Sequence, residues 1–248
     1  MNIINFSQID STNTYAKREM DSLCDKTVVC ADYQTAGRGR FDRSWVNVGV
    51  ENIYMTIVLK PSDIIEPNFA CLTQYLSFCL CLELEKLGLS PHIKWPNDVL
   101  IEGKKVCGIL AESVIKKRKL KGIALGIGVN LNADASALEE IDRPATSLNL
   151  HLKTPVDKTI FMNNLLQTFF DGYENFLENG FLSIKDFYEQ HSYIAENSSV
   201  KFAVFDKIIE GVFVGFEKDG TLLLKTSDSE VKNFNMGEFV EGDSLDMF

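Results

Sequence analysis

The chain has 248 residues, of which 45% are hydrophobic and 24% charged, enough for one or two globular domains with a sizeable core. Its formal net charge of −10 disfavours general binding to nucleic acid or to an anionic membrane surface. The sequence shows neither a signal peptide nor an apolar stretch long enough to span a bilayer. We therefore expect a cytoplasmic protein that binds neither DNA nor a membrane.

The six cysteines and three histidines do not form a metal-binding pattern. No C-x-x-C pair occurs, and the histidines are far apart and not interleaved with the cysteines. Most of the cysteines lie in apolar runs, as Cys79 and Cys81 do. We interpret them as reduced core residues of a cytosolic protein and expect no zinc site.

Hydrophobic patterning predicts a larger α+β domain at 1–194. Runs rich in Val, Ile and Leu and bounded by Gly, Pro, Asn or Asp are typical of strands, and apolar residues at helical spacing are typical of helices. In chain order, the pattern predicts a helix at 12–22 after the N-cap candidate Ser11, strands at 27–33 and 52–60, a helix at 67–87, strands at 92–95, 98–102, 105–112 and 120–131, and helices at 157–177 and 181–190.

After about residue 194 the pattern changes to short strand-like segments. They lie at 199–205, 208–216, 221–226 and 230–235. Lys218-Asp219-Gly220 fits a hairpin turn between two of them. We therefore predict a small all-β barrel at 195–248, appended to the α+β domain.

The nine residues 37–45, G-R-G-R-F-D-R-S-W, carry the strongest functional signal in the chain. Gly37 and Gly39 are expected to reach positive φ and to let the backbone come close to a ligand. Each arginine offers a planar fork of donors that matches phosphate or carboxylate oxygens. Three such cations repel one another unless an anion neutralises them. The loop therefore predicts a clamp for a small anion, with a solvated surface loop as the alternative.

Five further segments of polar residues and glycines lie at or next to predicted strand ends. They are Ser11-Thr12-Asn13, Gln34, Lys94-Trp95-Pro96-Asn97-Asp98, the run 103–110 and the run 126–130. Each also has a purely structural interpretation. Ser11 can cap a helix, Asn97-Asp98 can form a turn, Lys105 can be a surface lysine, and the glycines at 126 and 128 can mark a bulge.

In this order and spacing, the motifs S-T-N, G-R-G-R-x-x-R-x-W, K-W-P-N-D, G-K-K-V-x-G-I-L and G-I-G-V-N resemble those of the biotin–protein ligases. Ala145-Thr146-Ser147-Leu148, Gly215-Phe216 and Gly237-Glu238 also look like family segments. The resemblance covers nearly the whole chain. It implies an α+β catalytic domain, in which a mixed or antiparallel sheet packs with helices, followed by an SH3-like barrel.

The resemblance also implies a two-step reaction with biotin, ATP and Mg²⁺. Biotin and MgATP form biotinyl-5′-AMP and pyrophosphate. The ligands of the magnesium ion that would accompany ATP are left open. The biotinyl group then passes to one lysine of a partner, such as the biotin carboxyl carrier protein of a carboxylase. Cationic groups that bind more strongly as negative charge develops would lower the barrier to the first step.

The family pattern assigns expected roles to individual residues. Those expected to hold biotin are Ser11, Thr12, Asn13, Gln34, Gly37, Arg38, Gly39, Arg40, Tyr54, Lys105, Gly108 and Gly126. Those expected to hold the nucleotide are Arg40, Arg43, Trp45, Asn97, Asp98 and Asn130. Arg38, Arg40 and Lys105 are expected to be catalytic. Gly108 and Gly126 should leave room for biotin, and Trp45 should pack near the adenine.

The chain departs from some relatives of this family. Ser11 lies too near the first residue for a preceding winged helix-turn-helix, so we expect no regulatory DNA binding. Asp42 lowers the charge of the arginine loop, and Leu131-Asn132-Ala133-Asp134 stands where some relatives have a further arginine. An exposed sheet edge could pair two copies into a homodimer.

Three alternatives fit parts of the same pattern. A lipoate–protein ligase shares the catalytic architecture, but the G-R-G-R-x-x-R-x-W run favours biotin. A non-catalytic biotin-binding sensor would not need the complete set of arginines and Lys105. An enzyme that adenylates some other carboxylic acid is the third alternative.

Overall fold

The computed structural model describes residues 2–60, 67–227 and 229–240. The other positions of the two expected domains, 1, 61–66, 228 and 241–248, lie outside the described residues. The helices are α1 (Thr12–Arg18), α2 (Pro67–Ala70), α3 (Leu72–Lys86), α4 (Ala135–Glu139), α5 (Leu148–Leu152), α6 (Lys158–Asn179) and α7 (Lys185–Gln190), with a 3-10 helix at Gly180–Ser183. The strands are β1 (Asn2–Ile9), β2 (Thr27–Gln34), β3 (Ile53–Leu59), β4 (Pro91–Lys94), β5 (Asp98–Ile101), β6 (Lys104–Lys116), β7 (Lys119–Val129), β8 (Ser199–Val204), β9 (Lys207–Phe216), β10 (Leu222–Thr226), β11 (Val231–Phe234) and β12 (Glu238–Phe239).

Seven strands form the first sheet, in the order β1-β2-β3-β7-β6-β5-β4. β1 runs parallel to β2, and the other neighbouring pairs are antiparallel. The sheet is therefore mixed, which confirms the predicted α+β class. The sequence analysis missed β1, because this edge strand is largely exposed and lacks the apolar run that marked its neighbours.

The remaining five strands form a second sheet that is antiparallel throughout, in the order β11-β10-β9-β8-β12. The predicted hairpin turn is confirmed. The amide of Glu217 donates to the carbonyl of Thr221 at 2.8 Å, and Gly220 has a φ of 80°. The strand β12 was missed because two residues are too short to give a pattern.

Three of the predicted helices differ in extent from those observed. The helix expected at 181–190 is divided into the 3-10 helix at Gly180–Ser183 and α7 (Lys185–Gln190). The helix expected at 67–87 is interrupted at Cys71, whose ψ of 17° separates α2 from α3. The helix expected at 12–22 ends at Arg18, and the chain then turns so that Met20 and Leu23 are buried against the sheet. The short helices α4 and α5 were not predicted, since five residues cannot display helical periodicity.

The longest helix, α6, is the one predicted at 157–177. Asp157 caps α6 by accepting a hydrogen bond from the amide of Ile160, and Gly180 ends the helix with a φ of 58°. Its apolar side packs on α3, where the rings of Tyr75 and Phe176 stack at a centroid distance of 4.3 Å. This helix pair covers one face of the first sheet and forms the centre of the core.

The second sheet shares this core instead of forming one of its own. Phe216 contacts Phe181 and Tyr188 at ring-centroid distances of 5.9 and 5.2 Å. At the same junction the carbonyl of Gly220 accepts hydrogen bonds from the indole of Trp95 at 3.1 Å and from the Gln74 amide at 2.8 Å. The two sheets are therefore joined by a continuous apolar cluster with buried polar contacts.

Five of the six cysteines are buried, Cys24 is exposed, and all six are free thiols. Burial raises the pKa of Cys30 to about 11, so this thiol stays protonated at neutral pH. In the ranges 2–60, 67–227 and 229–240, none of the helices is long and apolar enough to cross a membrane.

The shared core predicts that the two sheets unfold together. Phe216→Ala removes a side chain that is 3% exposed, and a cavity of this kind costs about 3–5 kcal/mol. In urea titrations, tryptophan fluorescence and far-UV circular dichroism should report one coincident transition at lower denaturant. Val231→Ala is the control, because that side chain is 57% exposed, and it should change the free energy of unfolding by no more than about 0.5 kcal/mol. A transition confined to the second sheet would contradict a shared core.

Candidate active site

A cavity of about 460 Å³ lies at the first sheet, beside the start of α1 and under the loop 37–45. Fifteen of the seventeen residues expected from the sequence line it: Ser11, Thr12, Asn13, Gln34, Arg38, Gly39, Arg40, Arg43, Trp45, Asn97, Asp98, Lys105, Gly108, Gly126 and Asn130. The other two, Gly37 and Tyr54, are not among the lining residues. Segments separated by more than a hundred positions in the chain therefore meet at one site.

The arginine loop folds as a small β-hairpin, which we call the arginine hairpin (residues 37–45). The amide of Trp45 donates to the carbonyl of Gly37 at 2.9 Å, and the amide of Gly39 donates to the carbonyl of Arg43 at 2.7 Å. The tip is closed by a hydrogen bond of 3.2 Å from the amide of Arg43 to the carbonyl of Arg40. All three arginines of this short ribbon line the cavity.

The glycines of the hairpin have a different role from the one expected. Positive φ occurs at the tip, where Phe41 and Asp42 have values of 53° and 57°, and not at Gly37 or Gly39. Two successive positive values match the two-residue turns that suit the twist of a hairpin. A Cβ at Gly37 would lie 2.6 Å from the carbonyl oxygen of Trp45. Gly37 is therefore required by the close approach of the two arms.

The arginine hairpin is held by a carboxylate of the second sheet. Glu238 accepts two hydrogen bonds from the guanidinium of Arg43, at 2.5 and 2.7 Å. These bonds hold the pKa of Glu238 below its usual 4.5. The carboxylate therefore stays ionised and neutralises one of the three arginines.

Arg40 lies deeper than its two neighbours. Its guanidinium donates to Oδ1 of Asn97 at 2.8 Å and to the carbonyl of Gly237 at 3.4 Å. Burial lowers the pKa of Arg40, although the nearby carboxylates of Asp98 and Glu238 oppose this effect. A buried cation with neutral oxygen partners gains by contacting an anionic ligand.

Arg38 lies 3.6 Å from Oε1 of Glu112, which also accepts a hydrogen bond of 2.6 Å from Lys17. The other oxygen of Glu112 accepts from the amide of Asn13 at 3.1 Å. Burial alone would raise the pKa of Glu112, but these donors and the charges of Lys17 and Arg38 hold it below its usual value.

Lys105 enters the cavity from β6. Its ammonium lies 2.7 Å from Oδ2 of Asp98 and 5.5 Å from the centre of the Trp45 ring. Its backbone is fixed on both sides, since its amide donates to the carbonyl of Pro144 and its carbonyl accepts from the amide of Thr146. The lysine is therefore a positioned cation and not a mobile surface residue.

A network of neutral polar groups forms one end of the cavity. The amide of Thr12 donates to Oε1 of Gln34 at 2.8 Å, and the hydroxyls of Thr12 and Thr56 lie 2.8 Å apart. Thr56 also donates to Oδ1 of Asn13 at 2.6 Å. Ser11, next to this network, caps α1 by accepting from the amide of Thr14. Ser11, Thr12, Asn13 and Thr56 are buried, Gln34 is partly exposed, and the hydrogen bonds hold the network in place. This end of the cavity is therefore preorganised for a neutral polar group.

Glycines in β6 and β7 make room for two side chains of the site. A Cβ at Gly126 would lie 2.1 Å from Oδ1 of Asn13. A Cβ at Gly108 or Gly128 would lie within 2.7 Å of the Trp45 ring. In this structure the space above these glycines therefore holds protein groups.

Two residues of the expected set, Tyr54 and Asn130, hold the backbone around the cavity. Tyr54 accepts a hydrogen bond from the amide of Val48 and donates to the carbonyl of Gly49, both at 3.1 Å. It thereby anchors the chain that leaves the arginine hairpin. Asn130, whose side chain donates to the carbonyl of Thr146 at 3.0 Å, ties the end of β7 to the opposite wall. Trp45 has a buried indole N–H with no hydrogen-bond partner among the described residues.

Sequence reasoning missed four contributors to the site. Thr56 and Glu112 gave a usable signal, since each is a polar residue inside an otherwise apolar strand segment. Glu238 and Arg143 gave none. Glu238 reaches the site from the second sheet, and Arg143 from a connection after α4 that crosses over the cavity.

In the described part of the chain, no group of three or more His, Cys, Asp and Glu side chains is arranged to hold a metal ion.

Comparisons with known proteins show which family and fold the chain resembles. Residues 5–130 match the model of the Biotin/lipoate A/B protein ligase family, and residues 197–240 match that of the Biotin protein ligase C terminal domain. The chain is 33% identical over 229 residues to the biotin–[acetyl-CoA-carboxylase] ligase of Paracoccus denitrificans, covering 88% of this chain and 92% of that protein. It is 30% identical over 211 residues to the bifunctional ligase/repressor BirA of Bacillus subtilis, covering 84% of this chain but only 64% of that protein. A solved structure of the biotin protein ligase from Aquifex aeolicus, in complex with biotin and ATP, superposes with a TM-score of 0.82 at 29% identity, covering 96% of this chain and 97% of that one.

The contact between Glu238 and Arg43 predicts how firmly the arginine hairpin is held without ligand. In Glu238→Gln, amide hydrogen exchange in 37–45 should become about two- to fivefold faster, because a half-exposed ion pair contributes about 0.2–1 kcal/mol. Glu210→Gln, an exposed site on β9, is the matched control and should leave this exchange unchanged.

The same contact has a predictable pH dependence. The pKa of Glu238 is depressed in the folded state, so its stabilising effect is fully present above about 4.5 and is lost as the pH falls through the lower folded value. The difference in stability between the wild type and Glu238→Gln should therefore shrink as the pH falls below 4.5. A difference that stayed constant down to pH values where carboxylates are protonated would contradict the ionic nature of the contact.

Proposed function

The chain belongs to the Biotin/lipoate A/B protein ligase family, and from this membership and the site geometry we propose that it is an ATP-dependent biotin–protein ligase. It would form biotinyl-5′-AMP from biotin and MgATP and pass the biotinyl group to a lysine of a biotin carboxyl carrier protein. The observation that carries this proposal is that Arg38, Arg40, Arg43 and Lys105 share one cavity with the neutral polar network around Thr12.

The polar network suits the ring system of biotin. The ureido group is neutral and both donates and accepts hydrogen bonds, which the side chains of Thr12, Asn13 and Gln34 can complement. Buried polar groups that lose their partners cost free energy, so a site of this kind selects against ligands without matching polar atoms. The valerate carboxylate of biotin would then extend toward Arg40 and Lys105.

In the first step an oxygen of the biotin carboxylate attacks the α-phosphorus of ATP. The new P–O bond forms as the bond to pyrophosphate breaks, so the pyrophosphate leaves with the bonding pair. Both reactants are anionic, and Arg40 and Lys105 offset their repulsion as charge builds on the phosphorus oxygens. The Mg²⁺ ion arrives as part of the substrate MgATP and neutralises phosphate charge.

In the second step the lysine amine attacks the acyl carbon of the adenylate. An amide C–N bond forms, the C–O bond to the phosphate breaks, and AMP leaves as an anion. The lysine begins as an ammonium and loses one proton before attack and one after it, both to solvent or phosphate. The arginines stabilise the leaving phosphate, which accounts for their use in both steps.

The nucleotide side of the cavity has donors available for ATP. Arg43 can exchange Glu238 for phosphate oxygens, and Arg143 from the opposite wall adds a further cation. The unpartnered indole N–H of Trp45 can donate to the ligand. On the same side, Asn97 contacts Arg40, Asp98 contacts Lys105, and Asn130 lines the cavity.

We extend the proposal to the wider properties of the chain. The division into a catalytic domain at 1–194 and an SH3-like barrel at 195–248 agrees with the two sheets and the two matching family models. Free cysteines fit a reducing compartment such as the cytoplasm. A net charge of −10 disfavours DNA as a partner. The strand β1 is an open edge of the first sheet and offers a surface for a homodimer.

The proposal is tested by biotin-dependent exchange of labelled pyrophosphate into ATP by the purified chain. The wild type should catalyse this exchange with biotin and not with lipoate. Lys105→Ala should slow it by about 10²- to 10³-fold, as expected for loss of a group that stabilises transition-state charge. Lys104→Ala is the matched control, since Lys104 is exposed and does not line the cavity, and it should exchange at the wild-type rate. Absence of biotin-dependent exchange in the wild type would reject the function.

A second prediction concerns retention of the intermediate. Arg38→Gly removes a cation of the arginine hairpin, so the mixed anhydride should escape into solution during turnover. Free biotinyl-5′-AMP should then appear in a filtrate of the reaction and biotinylate exposed lysines on unrelated proteins. Arg18→Gly, an exposed arginine outside the cavity, serves as the control. Retention of the adenylate by Arg38→Gly as tight as in the wild type would show that Arg38 is not part of the closure.

A further inference from the structure

One carboxylate, that of Glu112 on β6, contacts the neutral polar network at the end of the cavity. Its Oε2 accepts a hydrogen bond from Nδ2 of Asn13 at 3.1 Å, and its Oε1 accepts one from the ammonium of Lys17 at 2.6 Å. The guanidinium of Arg38 lies 3.6 Å from the same Oε1. An ionised carboxylate has no proton to give, so both oxygens of Glu112 act only as acceptors toward these donors.

The neighbours of Asn13 fix which way its side-chain amide points. Nδ2 lies between Oε2 of Glu112 and the carbonyl oxygen of Leu110, which is 3.2 Å away. Both neighbours can only accept hydrogen bonds, so the atom between them must be the nitrogen, and both of its protons are used. The amide oxygen therefore lies on the other side, over Gly126, where a Cβ would come within 2.1 Å of it.

The fixed amide of Asn13 sets the direction of the next hydrogen bonds. The hydroxyl of Thr56 gives its single proton to Oδ1 of Asn13 at 2.6 Å. Toward the hydroxyl of Thr12, which is 2.8 Å away, Thr56 can then only accept. Thr12 gives its own proton either to Thr56 or to Oε1 of Gln34 at 3.1 Å. In both cases the oxygen of Thr12 keeps lone pairs that a ligand can use.

The network therefore offers a ligand two acceptors and one donor. The acceptors are Oδ1 of Asn13, which has a second lone pair, and the hydroxyl oxygen of Thr12. Oε1 of Gln34 already accepts from the amide of Thr12 at 2.8 Å, so the end of Gln34 that serves a ligand is the donor Nε2. A cyclic urea has two N–H donors and one carbonyl acceptor, which is the complement of this set. A reversed Asn13 amide would oppose one donor to another and leave both unpaired.

We propose that Glu112 is a positioning residue that sets the hydrogen-bond direction of this network and so selects a cyclic urea with both N–H groups. The inference rests on the proposed ligase function and adds to it the origin of the selectivity for the biotin ring system. Glu112 does not line the main cavity, so it acts on the ligand through Asn13.

Lys17 makes the direction of these bonds testable. In Glu112→Gln the new side chain has one oxygen and one NH2 group. The ammonium of Lys17 requires the oxygen on its side, and Arg38 favours the oxygen at the same place. The NH2 group then faces Nδ2 of Asn13, donor against donor, so Asn13 loses this bond or reverses. When Lys17→Met is combined with Glu112→Gln, the shorter of the two contacts is removed, and the new oxygen can turn to Asn13.

The test measures biotin affinity by calorimetry, together with KM and kcat for biotin in pyrophosphate exchange. Glu112→Gln should weaken biotin binding about tenfold or more and raise KM by a similar factor. Its kcat should stay within about threefold of wild type, because the ring system is remote from the reacting carboxylate. Lys17→Met combined with Glu112→Gln should bind biotin at least about threefold more tightly than Glu112→Gln alone. Glu210→Gln, exposed on β9 and outside the cavity, is the matched control and should bind biotin as the wild type does.

Two cyclic carbamate analogues of biotin, in each of which oxygen replaces one ring N–H, test the selectivity directly. The wild type should bind at least one of them about tenfold or more weakly than biotin, since an acceptor of the network then meets a second acceptor. In Glu112→Gln this difference should fall to within about threefold.

Two results would overturn the role of Glu112 while leaving the ligase function intact. One is equal biotin affinity in the wild type and Glu112→Gln. The other is a combined variant that binds biotin no better than Glu112→Gln alone, as expected if the carboxylate only stabilised the fold. A wild type that binds no biotin would overturn the ligase function and this inference with it.

Discussion

The site depends on concentrating positive charge in an acidic protein without letting the cations repel one another. Arg38, Arg43 and Lys105 each face a carboxylate of the chain, namely Glu112, Glu238 and Asp98. The pairs are partly exposed and none is fully buried, so exchanging a carboxylate for a ligand oxygen costs less than it would in the core. The arginine hairpin is thus ordered by protein anions of the kind that its ligands would replace.

This arrangement explains why the second sheet belongs to the site and is not an accessory. Gly237 and Glu238 contact Arg40 and Arg43 across a junction whose core is continuous with that of the first sheet. A sheet attached by a loose linker could not hold a guanidinium with hydrogen bonds of 2.5 to 2.7 Å. The packing of Phe216 and the paired hydrogen bonds to Gly220 provide the rigidity that this contact needs.

Close approach of side chains to backbone is the second constraint on the site. Gly126 admits the amide of Asn13, and Gly108 and Gly128 admit the indole of Trp45. Any larger residue at these positions would displace a group that shapes the cavity. Glycines inside a strand lower its intrinsic stability, but here they allow a polar amide and an aromatic ring to lie directly on the sheet.

The sequence by itself determined the α+β class and the change to short strands near residue 194, because these depend on periodicity. It also indicated fifteen of the residues that line the cavity, because its motifs resemble those of the biotin–protein ligases. It further located α6, expected at 157–177 and observed at Lys158–Asn179, because the apolar residues of this segment recur at helical spacing. Only the tertiary structure decided which carboxylates face the arginines, that positive φ falls on Phe41 and Asp42, and that Tyr54 supports the hairpin from outside the cavity. Glu238 and Arg43 are 195 positions apart in the chain, and no local pattern encodes a contact that is created by packing one sheet against another.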